Sequence, residues 1–190
     1  QKKELTVAAQ ISNKQVSLPH NDHPAEKCLY VQLPKPGRVT GNNEIKSGHF
    51  KRGGKKDGCY YQVEYHFTSD LTFDLSALKG KEVLKAELKL TLNEENTLVP
   101  VGTWSTNEFC TSRSNLYRGD SLLCSFSVFS QGETQTINLL DSVKSWTING
   151  SGGEYVVTVK GQFDGVFIDN TDSVCLKYFG NPVLVVEYKE

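Results

Sequence analysis

The chain has no methionine, and only four histidines, two tryptophans and six prolines among its 190 residues. It contains no CxxC pair, no G-x-S-x-G segment and no apolar run near the roughly 20 residues that span a bilayer. Each absence excludes something. Without CxxC spacing there is no signal for a zinc site or a thioredoxin-like centre. A hydrolytic triad needs a nucleophile near an oriented base. His20, His23 and His49 fall in expected loops and His66 on the polar face of an expected strand. With no nucleophile elbow either, the chain is expected not to be an enzyme. Charge of one sign is also missing: 21 basic and 22 acidic residues give a net −1. Nothing global draws the chain to nucleic acid, and no membrane span is expected. With no methionine and Gln1 as first residue, a secreted product with its signal removed is expected, a truncated chain being the alternative.

Cysteine is present in odd number: Cys28, Cys59, Cys110, Cys124 and Cys175. Cys110 and Cys124 flank a polar stretch and form the best local pair, worth on the order of 3 kcal/mol by loop closure. Cys28 with Cys59 is the next pairing. Cys175 is then left free, or available to link chains into a disulfide-bonded oligomer. The alternative is that some of these thiols are buried small hydrophobes. Asn149-Gly150-Ser151 is the one N-glycosylation sequon. Together these features indicate a disulfide-containing extracellular glycoprotein.

Periodicity gives the fold class. Leu84, Ala86, Leu88, Leu90 and Leu92 alternate with Lys85, Glu87, Lys89 and Thr91, a strand with one dry and one wet face. Tyr61, Val63, Tyr65 and Phe67 alternate in the same way with Gln62, Glu64 and His66, which should face outward. Further short strands are expected at 5–9, 29–33, 71–73, 98–104, 122–129, 134–139, 155–160, 166–169, 174–179 and 183–188. Glycine- and asparagine-rich turns separate them. One short helix is expected near 140–146, capped by Asp141, with Leu140, Val143 and Trp146 on one face. A turn is expected at 76–79. The whole chain, 1–190, reads as one all-β domain, a jelly-roll sandwich of antiparallel strands. Residues 34–58, with Pro36-Gly37, Gly41-Asn42-Asn43 and Gly53-Gly54, read as a long basic surface loop.

Three segments in order carry a family resemblance. Phe73-Asp74-Leu75-Ser76-Ala77-Leu78 precedes the strand Ala86-Glu87-Leu88-Lys89-Leu90. Val143-Lys144-Ser145-Trp146 precedes a glycine-rich turn. Asn181-Pro182-Val183-Leu184-Val185-Val186-Glu187-Tyr188 closes the chain. Trp104-Ser105-Thr106-Asn107-Glu108 matches a W-x-x-x-E stretch. Over residues 61–188 this resembles the DNRLRE domain, a jelly-roll module of secreted and cell-surface proteins. It is also similar to the prodomains of the transforming growth factor β family. The resemblance implies that Phe73, Leu75, Leu78, Leu88 and Trp146 are core. It also implies an extracellular role, polysaccharide binding in some members.

Ligand-binding candidates are of two kinds. Trp104, with Asn107 and Glu108 behind it, either presents an aromatic plane to a sugar or packs as core; Phe109, Tyr117 and Tyr178 are further aromatic candidates. The segment 46–56 carries Lys46, His49, Lys51, Arg52, Lys55 and Lys56. It either grips a sulfated or acidic glycan or is a solvated charge run. Asp164, Asp169 and Asp172 are weak candidates for a structural calcium, and His20, Asp22 and His23 for another metal, against ordinary polar turns. No cofactor is otherwise expected. The expected function is a secreted, non-catalytic module binding extracellular polysaccharide or matrix. The alternative is a prodomain-like or assembly subunit whose partner is a matrix or cell-surface protein.

Overall fold

The structure, a computed structural model, describes residues 1–17, 35–56, 59–98, 113–127, 130–149, 153–161 and 173–190. Among the described residues ten strands form one nearly closed antiparallel sheet with one α-helix, the all-β sandwich that the alternation indicates. In chain order they are β1 (Lys2–Ala8), β2 (Gln10–Ser17), β3 (Glu44–Lys56), β4 (Cys59–Asp74), β5 (Glu82–Leu98), β6 (Arg113–Arg118), β7 (Ser121–Ser127), β8 (Thr134–Asn138), β9 (Glu154–Gly161) and β10 (Ser173–Lys189). The hydrogen-bonded path runs β7-β6-β9-β4-β3-β10-β5-β8, with β1 added to β10 and β2 to β4.

Two strands expected from the sequence on either side of residues 180–182 are one, β10. Pro182, which lacks an N–H, and Asn181, with φ 52°, sit at a register shift between Gly180 and Val183. A bulge there absorbs the turn residues without ending the ladder. The first half of β10 pairs with β3 and the second half with β1, while β5 lines its other edge throughout.

The largest difference from the sequence reading is at residues 34–58. Residues 44–56 are not a surface loop but β3, a central strand between β4 and β10. Its glycines hid it. Gly48 has φ +118°, and a Cβ there would lie 1.8 Å from the Cys175 carbonyl oxygen. This glycine permits close approach of two backbones rather than flexibility. The seam is closed by a side chain. Asn13 on β2 donates from Nδ2 to the Glu44 carbonyl at 3.2 Å, and its Oδ1 accepts from Lys46 N at 3.3 Å and from the Ser69 hydroxyl.

The main core lies between the two halves of the sheet and includes Leu71, Phe73, Leu88, Leu90, Val157 and Leu184, none more than 1% exposed. Leu75 and Leu78, in and beside the 3₁₀ turn Ser76–Leu78, are fully buried, and Asp74 Oδ1 accepts from Ser76 N at 3.0 Å. The helix α1 (Leu140–Asn149) buries Val143 and Trp146. It extends three residues past the expected end. Asn138, rather than Asp141, satisfies its start: Asn138 Oδ1 accepts from Leu140 N at 2.9 Å. Asp141 lies in the first turn, where a negative charge favours the helix dipole. Trp146 donates from Nε1 to the Glu154 carbonyl and meets the Tyr155 ring edge-on at 6.4 Å.

Candidate functional site

A second, smaller core joins Phe50 on β3, Val63 and Phe67 on β4, and Val174, Leu176 and Tyr178 on β10. Residues 35–43 cross this face. Arg38 pins them. Its guanidinium lies 4.1 Å from the Tyr178 ring centroid and forks onto Glu44, with Nη1 to Oε1 at 2.6 Å and Nη2 to Oε2 at 3.0 Å. Its Nε reaches Glu94, and its backbone N–H donates to the Tyr178 hydroxyl. Glu44 also accepts from Gly41 N and Asn93 Nδ2. The Arg38 fork, chiefly, holds the Glu44 carboxyl at about 2, well below the ordinary 4.5. Gly37 is required here because a Cβ would stand 2.3 Å from the Tyr178 hydroxyl and because its φ is +74°.

Between this crossing segment and the end of β2 lies a groove of about 360 Å³. Lys14, Lys35, Arg38 and Lys46 line it, with Gln15 and Thr40, and no Asp or Glu does among the described residues. Lys46 comes from β3 and is 8% exposed. Its ammonium sits 4.3 Å from the Phe67 centroid and donates to the carbonyls of Pro36 and Arg38. Burial, and secondarily the Arg38 charge, push its pKa below the ordinary 10.5. Lys14 is half exposed and pairs with Asp70 at 2.5 Å. Lys35 is exposed and has no ion-pair partner among the described residues.

The opposite face of β3, β4 and β10 is polar and buried. Cross-strand register sets Lys177 beside Ser47, Cys175 and His66 on either side of His49, and Glu64 beside Lys51. Lys51 is 1%, His49 2% and Lys177 3% exposed. Burial, then the neighbouring His66 and Lys51 charges, push His49 down to about 4, so it is neutral at pH 7. Burial pushes Lys177 down to about 8, opposed by Glu95. His66 Nε2 and Glu64 Oε1 are 3.1 Å apart. His49, Lys51, Glu64, His66, Cys175 and Lys177 all have partners, whereas the buried Ser47 hydroxyl has none among the described residues; no three described His, Cys, Asp or Glu converge as metal ligands.

The sequence-derived candidates scatter accordingly. Lys51 is not on an exposed loop but buried, because alternation on a central strand turns it to this polar face; Glu64, expected outward, is buried beside it. Arg52 is half-buried on β3. Lys55 and Lys56 lie on the same strand, with side chains outside the described residues. Tyr178, an aromatic candidate, is fully buried. Tyr117 is half-buried on β6 under the Lys160 ammonium, 4.7 Å from its ring centroid, with β9 and β4 between it and β3. Trp104, Asn107, Glu108, Phe109, Asp164, Asp169, Asp172, His20, Asp22 and His23 lie outside the described residues. Asn149 is the last residue of α1.

The cysteine expectations need correcting. Cys124 is a free, half-buried thiol on β7, packed against the main core, so the Cys110–Cys124 bridge is not formed. Cys175 is neither free nor available to link chains, because it is itself disulfide-bonded. No bridge joins two described side chains, and the Cys28–Cys59 pairing lies outside them. The groove residues Lys14 and Lys35 were missed: a single lysine on a short amphipathic strand carries no signal until the crossing segment is folded over it. No protein-family model and no curated protein sequence matches this chain.

Proposed function

We propose that the chain is a secreted, non-catalytic β-sandwich module that binds extracellular polysaccharide or matrix through the groove between β2 and residues 35–40. The observation that carries this is the groove itself: open, about 360 Å³ in volume, built on a rigid sheet and a pinned segment. Sites of that size suit a few sugar units. Gln15 and Thr40 offer polar groups for hydroxyls. The FDLS turn, the A-x-L-x-L strand and the V-x-x-W helix, in that order, support a DNRLRE-like module. The disulfide at Cys175 supports an oxidising compartment. A glycan array and polysaccharide pull-downs with the whole chain test the reading. Gln15→Trp, which fills the groove without changing its charge, should abolish capture while leaving the melting temperature in place. Absence of any captured glycan, or capture unaffected by Gln15→Trp, refutes it.

A second reading, an assembly subunit, is favoured by β7. Ser121–Ser127 is an edge strand with no charged residue and no proline, paired only with β6 among the described residues, and Leu122 is 54% exposed. Such an edge is open to a strand from another chain. Concentration-dependent sedimentation that Leu122→Lys abolishes would support it; a monomer at every concentration would remove it.

A further inference from the structure

We infer that the group recognised in this groove is an oxyanion, the carboxylate or sulfate of an acidic glycan, held by Lys14 and Lys35 at the rim and Lys46 at the back. The inference rests on the groove being the binding site and adds the chemistry of what enters it.

Some of the lining cations are already spent. Arg38 lines the groove, but its Nε, Nη1 and Nη2 are taken by Glu94, Glu44 and the Val39 carbonyl. It holds the wall in place and has little left for a ligand. Lys46 differs. It is more than nine-tenths buried, yet among the described residues only two of its three N–H groups find acceptors, the Pro36 and Arg38 carbonyls. Its side chain lines the cavity. A buried ammonium with a donor to spare is costly unless an acceptor arrives, and an anionic acceptor offsets most of that cost. Both of its partners are neutral carbonyls, so its charge is not cancelled by a carboxylate.

The rim repeats the pattern. Lys35 has no ion-pair partner among the described residues. Lys14 holds Asp70 but is 56% exposed at its side chain, and an ammonium with three donors can serve a second oxygen. Among the described residues the acids paired with lining cations, Asp70, Glu44 and Glu94, do not themselves line the groove. Among the described residues the cavity surface therefore presents amino groups and amides with no acid among them. A neutral sugar would gain hydrogen bonds here but leave the charges unmatched; an acidic one would match them. Nothing of this is visible in the net charge of −1.

The test is calorimetric titration of the whole chain with polygalacturonate, chondroitin sulfate and neutral dextran. Binding to either or both acidic polymers and not to dextran is expected, with affinity falling at least about tenfold between roughly 50 and 500 mM NaCl as rim charges are screened. Polygalacturonate alone assigns a carboxylate, chondroitin sulfate alone a sulfate. Lys14→Gln with Lys35→Gln should weaken binding at least about tenfold, with the melting temperature nearly unchanged because both residues are exposed. Lys35→Arg should retain binding. Dextran bound as tightly as the acidic polymers, salt-insensitive binding, or an unweakened double variant overturns the oxyanion and leaves the glycan site standing. Failure of all three polymers overturns the oxyanion, and a glycan array that is also blank takes the glycan site with it.

Discussion

Glu44→Gln is the sharpest test of how the crossing segment is held. The Glu44 side chain is 7% exposed, and it receives the Arg38 fork, Gly41 N and Asn93 Nδ2. Moving a carboxyl from 4.5 to about 2 corresponds to about 3 kcal/mol, at about 1.4 kcal/mol for each tenfold change in proton affinity. Arg38 is 41% exposed, so water screens part of this, and about 2–3 kcal/mol is expected at pH 7. The sign follows from linkage. Because the folded-state value is depressed, the contribution is complete above pH 4.5 and is lost as pH falls towards 2. His49 acts in the same direction at milder acidity, since it is pushed from 6.5 to about 4 and must stay neutral when folded. Comparing wild type with Glu44→Gln removes that shared background. Denaturant unfolding should show a deficit of about 2–3 kcal/mol at pH 7 that shrinks to less than half by pH 3. A deficit equal at both pH values would mean that the side chain matters for shape and not for charge.

Two further outcomes follow from the fold. Gly48→Ala should cost more than about 4 kcal/mol or prevent folding, because the new Cβ meets the Cys175 carbonyl and the strand conformation is left-handed; a melting temperature within a few degrees of wild type would contradict the β3–β10 register. Iodoacetamide under native conditions should label Cys124 slowly, since burial raises its thiol pKa, and should leave Cys175 unlabelled until a reductant is added. Prompt labelling of Cys175 in the absence of reductant refutes this.

What could be read in advance was whatever obeyed a local rule. The alternation in β5 follows from two-residue periodicity, and Phe73, Leu75, Leu78, Leu88 and Trp146 are buried as their motifs imply. What could not be read depended on distant chain. β3 looks like a loop because its central glycine answers to the Cys175 backbone and its lysines to aromatic rings and buried acids supplied by β4 and β10. β2 was missed because Asn13, its seam-closing residue, resembles a turn former until Glu44 and Lys46 stand opposite. The basic stretch 46–56 reads in sequence as one surface, yet Lys46 faces the groove and Lys51 the opposite polar face, a separation that only the pleat reveals.

The position of β10 has a consequence for the order of assembly. It is the last of the described strands in sequence, and β1, the first of them, pairs with it from Lys2↔Lys189 to Ala8↔Val183. β5 finds its long partner there too, and β3 one of its two. During synthesis from the N-terminus these strands emerge before the strand they pair with, so the sandwich closes only once residues 173–189 have left the ribosome. Folding dominated by such long-separation pairings is slow. Because Lys2 and Lys189 sit at the same end of an antiparallel ladder, tension applied between these two residues would open that ladder one hydrogen bond at a time, as a zipper rather than a clamp.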